Sequence, residues 1–184
     1  MIKATRHNNL VALLLVLLAL LVVSGCGYRP VVLRGPLAEA NGVNVTLFAN
    51  KSYRPGVEAV LARELVHEFA QRSGGKVLPG PEADLELTGT VLSYRTVPIS
   101  YSALDTIREY KSVLTVQAIL RQRQTLKVLW KADLVEEQAF PASEEQALPG
   151  IDNLALQQNA EEAAIAKISR RLSEQIWQKI GERF

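Results

Sequence analysis

The sequence of 184 residues has little of what most catalytic and metal sites require. It contains one cysteine and two histidines. A single cysteine excludes an intramolecular disulfide and a cysteine-rich zinc site. The 21 basic and 19 acidic residues leave a formal net charge of +2, far from the clustered basic surface that nucleic-acid binding requires. We therefore expect no nucleic-acid partner, no metal and no cofactor.

The histidine count also argues against an enzyme. His67 is flanked by Glu64 and Glu68, but position 71 is Gln, so the second histidine of a zinc-protease helix is missing. A Ser-His-Asp hydrolase would have to use the same histidine, and no Gly-x-Ser-x-Gly motif is present. We interpret His67 as a surface residue and expect the protein to be non-enzymatic.

The amino-terminal segment has the pattern of a secretion signal. Lys3 and Arg6 precede an uncharged apolar run from Leu10 to Val23. A helix of that length covers roughly 21 Å, short of the ~30 Å hydrocarbon core. The run ends in Val23-Ser24-Gly25-Cys26, which resembles the lipobox of bacterial lipoproteins. We expect residues 1–25 to be a lipoprotein signal peptide; an ordinary signal peptide with an incidental cysteine, or a short membrane anchor, are the alternatives.

Cys26 is then the lipid attachment residue. As the new amino terminus it would carry a covalent diacylglycerol and an N-acyl chain such as palmitate, and several buried chains anchor a protein stably. Residue 27 is Gly rather than the Asp associated with retention in the inner membrane. We therefore expect a lipid-anchored protein on the periplasmic side of the outer membrane.

The mature chain alternates between strand and helix patterns. Residues 26–41 contain Pro and Gly without a sustained period and are interpreted as a tether, followed by a single domain over 42–184. Period-two alternation predicts strands and helical spacing predicts helices. The predicted elements are a strand from Val43, a helix from Val57 that Gly74-Gly75 ends, and strands over 85–95, 110–121 and 126–140. A last helix, capped by Asp152 or Asn153, is predicted to run to about Gly181. Between the second and third strands, residues 96–107 contain Pro98 and are predicted to be a long connection.

This order, β-α-β-β-β-α, predicts an α+β fold. The first strand–helix–strand unit implies a parallel crossover if both strands share a sheet, and the short polar turn at 122–125 implies an antiparallel hairpin. Two amphipathic helices can cover one face of a four-stranded mixed sheet. We therefore expect a two-layer sandwich, with Trp130 and Trp177 in its core.

The candidate contact residues are aromatic and basic. Tyr94 and Tyr101 lie near the connection between the second and third strands, together with Arg95 and Arg108. Tyr and Arg carry much of the energy of protein interfaces, and Arg binds phosphate in a bidentate manner. These four residues are candidates for contact with a partner or with the phosphates of a lipid A headgroup; the alternative is that the tyrosines pack over a sheet edge.

Several short stretches together resemble the LptE family of lipopolysaccharide-assembly lipoproteins. Their order and spacing carry the resemblance over most of residues 26–180. They are Cys26-Gly27-Tyr28 with Arg34-Gly35, Phe48-x-Asn50 with Pro55-Gly56-x-Glu58, Glu68-Phe69, Ala83-Asp84 with Leu87-x-Gly89, Tyr94, Glu109-Tyr110, and Asn159-Ala160-Glu161 with the seam from Ile168 to Ile176.

The resemblance implies a partner and a role. Proteins of this family look like a two-helix, four-stranded sandwich inside LptD, an outer-membrane β-barrel. There they plug the barrel, assist its assembly and contact lipopolysaccharide during its insertion into the outer leaflet. In some members, basic residues in two loops are tied to lipopolysaccharide contact. Here the loop at 96–107 has no Lys or Arg before Arg108, and the loop at 141–150 has Glu144 and Glu145 instead.

A second class of function stays open from the sequence. A free-standing periplasmic lipoprotein module that binds a small ligand or peptide would have the same signal and the same fold. Recovery of a complex with a large β-barrel after gentle extraction would favour the first function, and a lone monomer would favour the second.

Overall fold

The computed structural model describes residues 36–142 and 153–182. The predicted signal peptide, the lipid attachment at Cys26 and most of the predicted loop at 141–150 lie outside the described residues. The elements, in chain order, are α1 (Pro36–Glu39), β1 (Val43–Val45), β2 (Ala49–Asn50), α2 (Val57–Arg72), a 3-10 turn (Gly80–Glu82), β3 (Leu85–Tyr101), β4 (Ile107–Gln122), β5 (Val128–Pro141) and α3 (Asn153–Glu182).

The strands form one mixed sheet in the order β1-β3-β4-β5, with β2 also paired to β3. β1 and β2 run parallel to β3, whereas β3–β4 and β4–β5 are antiparallel. The predicted α+β class, element order and parallel first crossover are confirmed. The first predicted strand is divided into β1 and β2. Val45 pairs with Leu87 and Ala49 with Thr90, so this segment has one residue more than β3 between the two pairs, and Leu47 is exposed there.

The long connection predicted for residues 96–107 is wrong. β3 continues through Pro98 to Tyr101, β4 begins at Ile107, and only Ser102–Thr106 connect them. β2 pairs with β3 no further than Val91, so Pro98 lies where β3 has no described neighbour on that side. Proline is tolerated on such an edge because its missing N–H breaks no ladder bond. The register shifts near Pro98 show the local irregularity that accompanies it.

Two further boundaries differ from the sequence prediction. β5 begins at Val128, and Leu126 lies in the preceding turn with a φ of 57°. Within the predicted tether, residues 36–39 form α1, and the side chains of Leu37 and Ala40 are buried. Leu37 and Ala40 therefore belong to the hydrophobic core.

The core lies between one face of the sheet and the helices α2 and α3. Alternate residues of the central strands point into it, and each helix contributes one apolar face. The ring centroids of Phe69 on α2 and Trp177 on α3 are 4.9 Å apart, in an edge-to-face contact. Trp130 and Trp177 are both buried, as predicted. The fully buried side chains include Leu61, Leu65, Leu87, Leu114, Leu120, Ile168, Leu172 and Ile176.

The long strands extend beyond this covered region. In the first part of β3, the helix-side residues Leu87 and Val91 are completely buried. Further along the same side, Thr96 and Pro98 are exposed. We call residues 95–111 the distal hairpin; the part of the sheet before it, under the helices, is the proximal sheet.

Candidate contact surface and the residues that support it

The four predicted contact residues lie at two different places on the hairpin. Tyr94 points to the helix side and is half-buried, whereas its neighbour Arg95 is exposed on the opposite face. Tyr101 and Arg108 flank the short turn at the far end, where Tyr101 pairs with Ile107. Tyr101 lies seven positions after Tyr94, which corresponds to about 23 Å along a strand. The structure thus brings Tyr101 and Arg108 together and separates both from Tyr94.

Tyr94 is the centre of a polar network between the sheet and α3. Its hydroxyl lies 2.7 Å from the carboxylate Oε1 of Glu161 and 2.7 Å from Oγ of Ser112. A phenol has one proton, so Tyr94 donates to Glu161 and accepts from Ser112. Thr96 Oγ1 is 3.4 Å from the same Glu161 oxygen. The network joins β3, β4 and α3 just before the distal hairpin begins.

Burial also affects the ionisation of Tyr94. Desolvation by its surroundings is the largest influence and raises the pKa of Tyr94 above its ordinary value of about 10. The carboxylate of Glu161 raises this pKa further, because a phenolate beside it would be repelled. The phenol therefore stays protonated at neutral pH and keeps its role as a hydrogen-bond donor.

Arg54 extends the network to the loop before α2. Its Nη2 is 3.6 Å from Oε2 of Glu161, the carboxylate oxygen that does not face Tyr94. The loop is ordered by Asn50, whose Nδ2 donates to the carbonyl of Arg54 at 2.9 Å and to Glu58 Oε2 at 2.6 Å. Asn50 and Glu58 belong to the motif that carries the family resemblance, and their contacts show that they order this turn.

The end of the distal hairpin exposes apolar side chains. Leu104, in the turn, is 86% exposed, and Ile99 and Tyr101 are exposed as well. Ser102 orders the turn: its backbone N–H donates to the carbonyl of Thr106 at 2.8 Å, and the two hydroxyls are 2.6 Å apart. Exposed apolar residues grouped on an ordered turn are typical of contact sites rather than of random surface.

The sheet face opposite the helices has a different character. Its charges are paired across strands, with Arg121 to Glu86 at 2.6 Å and Lys111 to Glu137 at 3.1 Å. Polar and β-branched side chains fill the positions between these pairs. Within the described residues, neither α2 nor α3 covers this face.

A shallow cleft lies between the start of α2 and α3. Its volume is about 450 Å³, and it is lined by Arg54, Val60 and Arg63 on one side and by Glu162 and Ile165 on the other. In residues 36–142 and 153–182 there is no cluster of three potential metal-ligating side chains. Over the same ranges, every helix is too short or too polar to cross a bilayer.

The two residues that support Tyr94, Glu161 and Ser112, are not among the site residues that the sequence predicts. Glu161 lies four residues before Ile165 and seven before Ile168, on the apolar stripe of α3. Ser112 lies on the same face of β4 as Leu114 and Val116, the face that points into the core, and it is completely buried. An acid on a helix stripe and a serine in an apolar alternation are signals that could have identified both residues.

The fold and the family comparison together define the class of this protein. The described residues form a one-sided α+β sandwich. The lipopolysaccharide-assembly family LptE matches residues 40–180. The chain belongs to the LptE family, whose members are outer-membrane lipoproteins. No curated protein matches the sequence.

The solved structures that are similar to this chain have low sequence identity to it. The hypothetical protein CT253 from Chlamydia trachomatis is 10% identical, with 76% of this chain and 94% of that one covered and a TM-score of 0.50. Rare lipoprotein B from Shewanella oneidensis is 14% identical, with 74% and 94% covered and a TM-score of 0.49. An uncharacterised lipoprotein B from Nitrosomonas europaea is 17% identical, with 76% and 81% covered and a TM-score of 0.45. The first of these supports the fold alone.

Proposed function

We propose that the protein plugs an LptD-type outer-membrane β-barrel and assists its assembly for the insertion of lipopolysaccharide into the outer leaflet. The match to the lipopolysaccharide-assembly family over residues 40–180 carries this proposal. It requires a partner-binding scaffold and no catalytic group.

The distal hairpin is the proposed contact region. Arg95, Tyr101 and Arg108 are exposed there, beside the apolar Ile99 and Leu104. Exposed aromatic and arginine side chains beside apolar ones have the composition of an interface core. Outside the distal hairpin, the sheet face opposite the helices, which carries the Arg121–Glu86 ion pair, is proposed to remain in contact with water, since a partner would have to desolvate that pair.

Lipopolysaccharide is a second proposed ligand of the same region. Arg95 and Arg108 could each bind a phosphate of its headgroup. The acids in the connection after β5 would repel such a phosphate, so the proposed contact is limited to the distal hairpin.

Co-purification with the barrel tests the contact region. We expect Arg95→Ala/Tyr101→Ala/Arg108→Ala to reduce the recovered barrel on the order of tenfold, since three interface side chains are lost together. The matched control is Tyr53→Ala/Lys167→Ala/Lys179→Ala, which removes one exposed tyrosine and two exposed cations elsewhere. Equal recovery with both triple variants would contradict the proposed contact region, and failure of the wild-type chain to recover any barrel would contradict the proposed function.

The proposed lipid anchor at Cys26 has its own test. We expect Cys26→Ala to abolish labelling by radioactive palmitate and to release the protein from outer-membrane fractions. Retention of the variant in the membrane without label would indicate an uncleaved anchor instead.

The cleft between α2 and α3 supports the alternative of a free-standing binding module. Its floor contains Val60 and Ile165, and Arg54 and Arg63 lie at its rim. A small amphiphilic anion would suit such a lining. Extraction of the wild-type chain as a monomer with a bound small molecule would favour this alternative.

A further inference from the structure

We infer that Tyr94, Glu161 and Arg54 form a clasp that fixes the direction in which the distal hairpin leaves the domain, so that Arg95, Tyr101 and Arg108 are presented to the barrel. This inference rests on the proposed function and changes the role of one predicted residue. Tyr94 becomes a positioning residue instead of a contact residue.

The place of the clasp along β3 is the first reason. Before it, β3 is held by β1, β2 and the helix layer, with Leu87 and Val91 completely buried. After it, the helix-side residues Thr96 and Pro98 are exposed. Tyr94 therefore lies at the boundary between a strongly packed segment and a segment that projects from it, where one contact has the most influence on direction.

The geometry of Glu161 is the second reason. One carboxylate oxygen accepts from the Tyr94 phenol at 2.7 Å, and the other lies 3.6 Å from Arg54. The Glu161 side chain is only 20% exposed, so water competes weakly for it. A carboxylate held from two sides is a better anchor for Tyr94 than a freely rotating one.

The position of Glu161 on α3 is the third reason. The same stripe of α3 continues with Ile165, Ile168 and Leu172, which pack into the core. An apolar residue at position 161 would satisfy packing, whereas the acid adds a directional bond to the sheet. Ser112 Oγ, completely buried beneath Tyr94, donates to the same phenol oxygen and fixes its orientation.

Hydrogen exchange separates this clasp from an ordinary stabilising contact. The variants are Tyr94→Phe, which removes only the hydroxyl, and Glu161→Gln, which weakens both interactions of the carboxylate. The matched control is Glu136→Gln on β5: Glu136 lies 3.6 Å from Arg171 and accepts from Gln175, both on α3. It also bridges the sheet and α3 at the level of Tyr94, with Leu114 between them, but it lies on β5, which is not a strand of the distal hairpin.

We expect amide exchange within residues 95–111 to rise about fivefold in Tyr94→Phe and Glu161→Gln, which is the effect of losing one hydrogen bond. Exchange in the rest of β3 and β4 should change much less. Recovery of the barrel should fall in parallel with both variants. Glu136→Gln should leave both the exchange of 95–111 and the recovery of the barrel unchanged.

Three outcomes would overturn the inference. The first is unchanged exchange over 95–111 in the two clasp variants, and the second is an equal rise in Glu136→Gln. The third is faster exchange in the two clasp variants together with full recovery of the barrel, while the triple variant at Arg95, Tyr101 and Arg108 recovers less barrel. In that case the proposed function would stand without the clasp. Failure of the wild-type chain to bind any barrel would overturn the proposed function, while the exchange result alone would still decide whether the clasp fixes the hairpin.

Discussion

The proximal sheet and the distal hairpin consist of the same two strands, β3 and β4, in different surroundings. In the proximal sheet, helix-side residues such as Leu87, Val91 and Leu114 are completely buried. In the distal hairpin, Thr96, Pro98 and Tyr101 are exposed. The comparison shows that pairing between β3 and β4 continues beyond the part of the sheet whose side chains are completely buried, although with register shifts. Substitutions should therefore affect stability in one region and partner binding in the other.

The largest expected difference concerns two aromatic side chains. Phe69 is completely buried against Trp177, and Tyr101 is 56% exposed. We expect Phe69→Ala to lower the free energy of unfolding by about 3–5 kcal/mol, because a buried ring is replaced by a cavity. Tyr101→Ala should change it by no more than about 0.5 kcal/mol.

Denaturant unfolding of the two variants of the mature domain measures this contrast. A loss with Tyr101→Ala as large as that with Phe69→Ala would mean that the distal hairpin is packed as firmly as the core.

The next effect concerns the close approach of β3 to its neighbours. A Cβ added at Gly89 would lie 2.2 Å from the carbonyl oxygen of Gln117 and 2.4 Å from the ring of Phe48. We expect Gly89→Ala to cost about 1–3 kcal/mol, because backbone and ring must both shift. Gly181→Ala is the control, since nothing lies within 4 Å of its added Cβ; there a gain of about 0.4–1 kcal/mol is expected.

Thermal unfolding should therefore shift in opposite directions for the two glycine variants. Gly89→Ala unfolding at or above the wild-type temperature would contradict the close approach of Phe48.

The proximal sheet could be predicted from sequence because alternation and burial coincide there. Leu85, Leu87 and Val91 alternate with polar residues, and a single covered face explains the pattern. The apolar residues from Ile165 to Ile180 recur at helical spacing, and this pattern predicted the second helix in the same way. The α+β class follows from these elements and their order.

The distal hairpin could not be predicted in this way, because its alternation no longer reports burial. None of the residues from Thr96 to Tyr101 is fully buried, so their mixture of Ser, Val, Pro and Ile resembles a loop. Backbone pairing with β4 holds this segment extended, and that pairing leaves no trace in composition. For the same reason the sequence predicts that the candidate residues surround one long loop, whereas in the structure an extended strand separates Tyr94 from Tyr101 and Arg108.

A smaller effect tests the turn that carries the family motif. Asn50 donates to the carbonyl of Arg54 and to Glu58, and it accepts from the backbone N–H of Ser52 at 2.8 Å. We expect Asn50→Ala to lower the free energy of unfolding by about 1–2 kcal/mol, the effect of losing these hydrogen bonds from a partly buried site.

The side chain of Gln124, exposed in the turn before β5, provides the control for Asn50. Gln124→Ala should leave stability within about 0.5 kcal/mol of wild type. An Asn50→Ala variant as stable as Gln124→Ala would mean that the motif residue serves a partner and not the fold.

The smallest expected effect lies at the boundary between the two regions and depends on pH. Burial raises the pKa of Tyr94 above about 10 in the folded protein, so folding favours the protonated phenol. The stability that this preference adds is fully present below the unfolded pKa of about 10 and is lost as the pH rises through the raised folded value.

The difference in unfolding free energy between wild type and Tyr94→Phe, about 1 kcal/mol for one hydrogen bond, should be constant between about pH 7 and 9 and shrink above about pH 10. Urea unfolding at several pH values measures it, with Tyr101→Phe showing what the loss of an exposed hydroxyl does by itself. A difference that grows above pH 10 would mean that folding favours the Tyr94 phenolate, and the phenol could not then be the donor that holds Glu161.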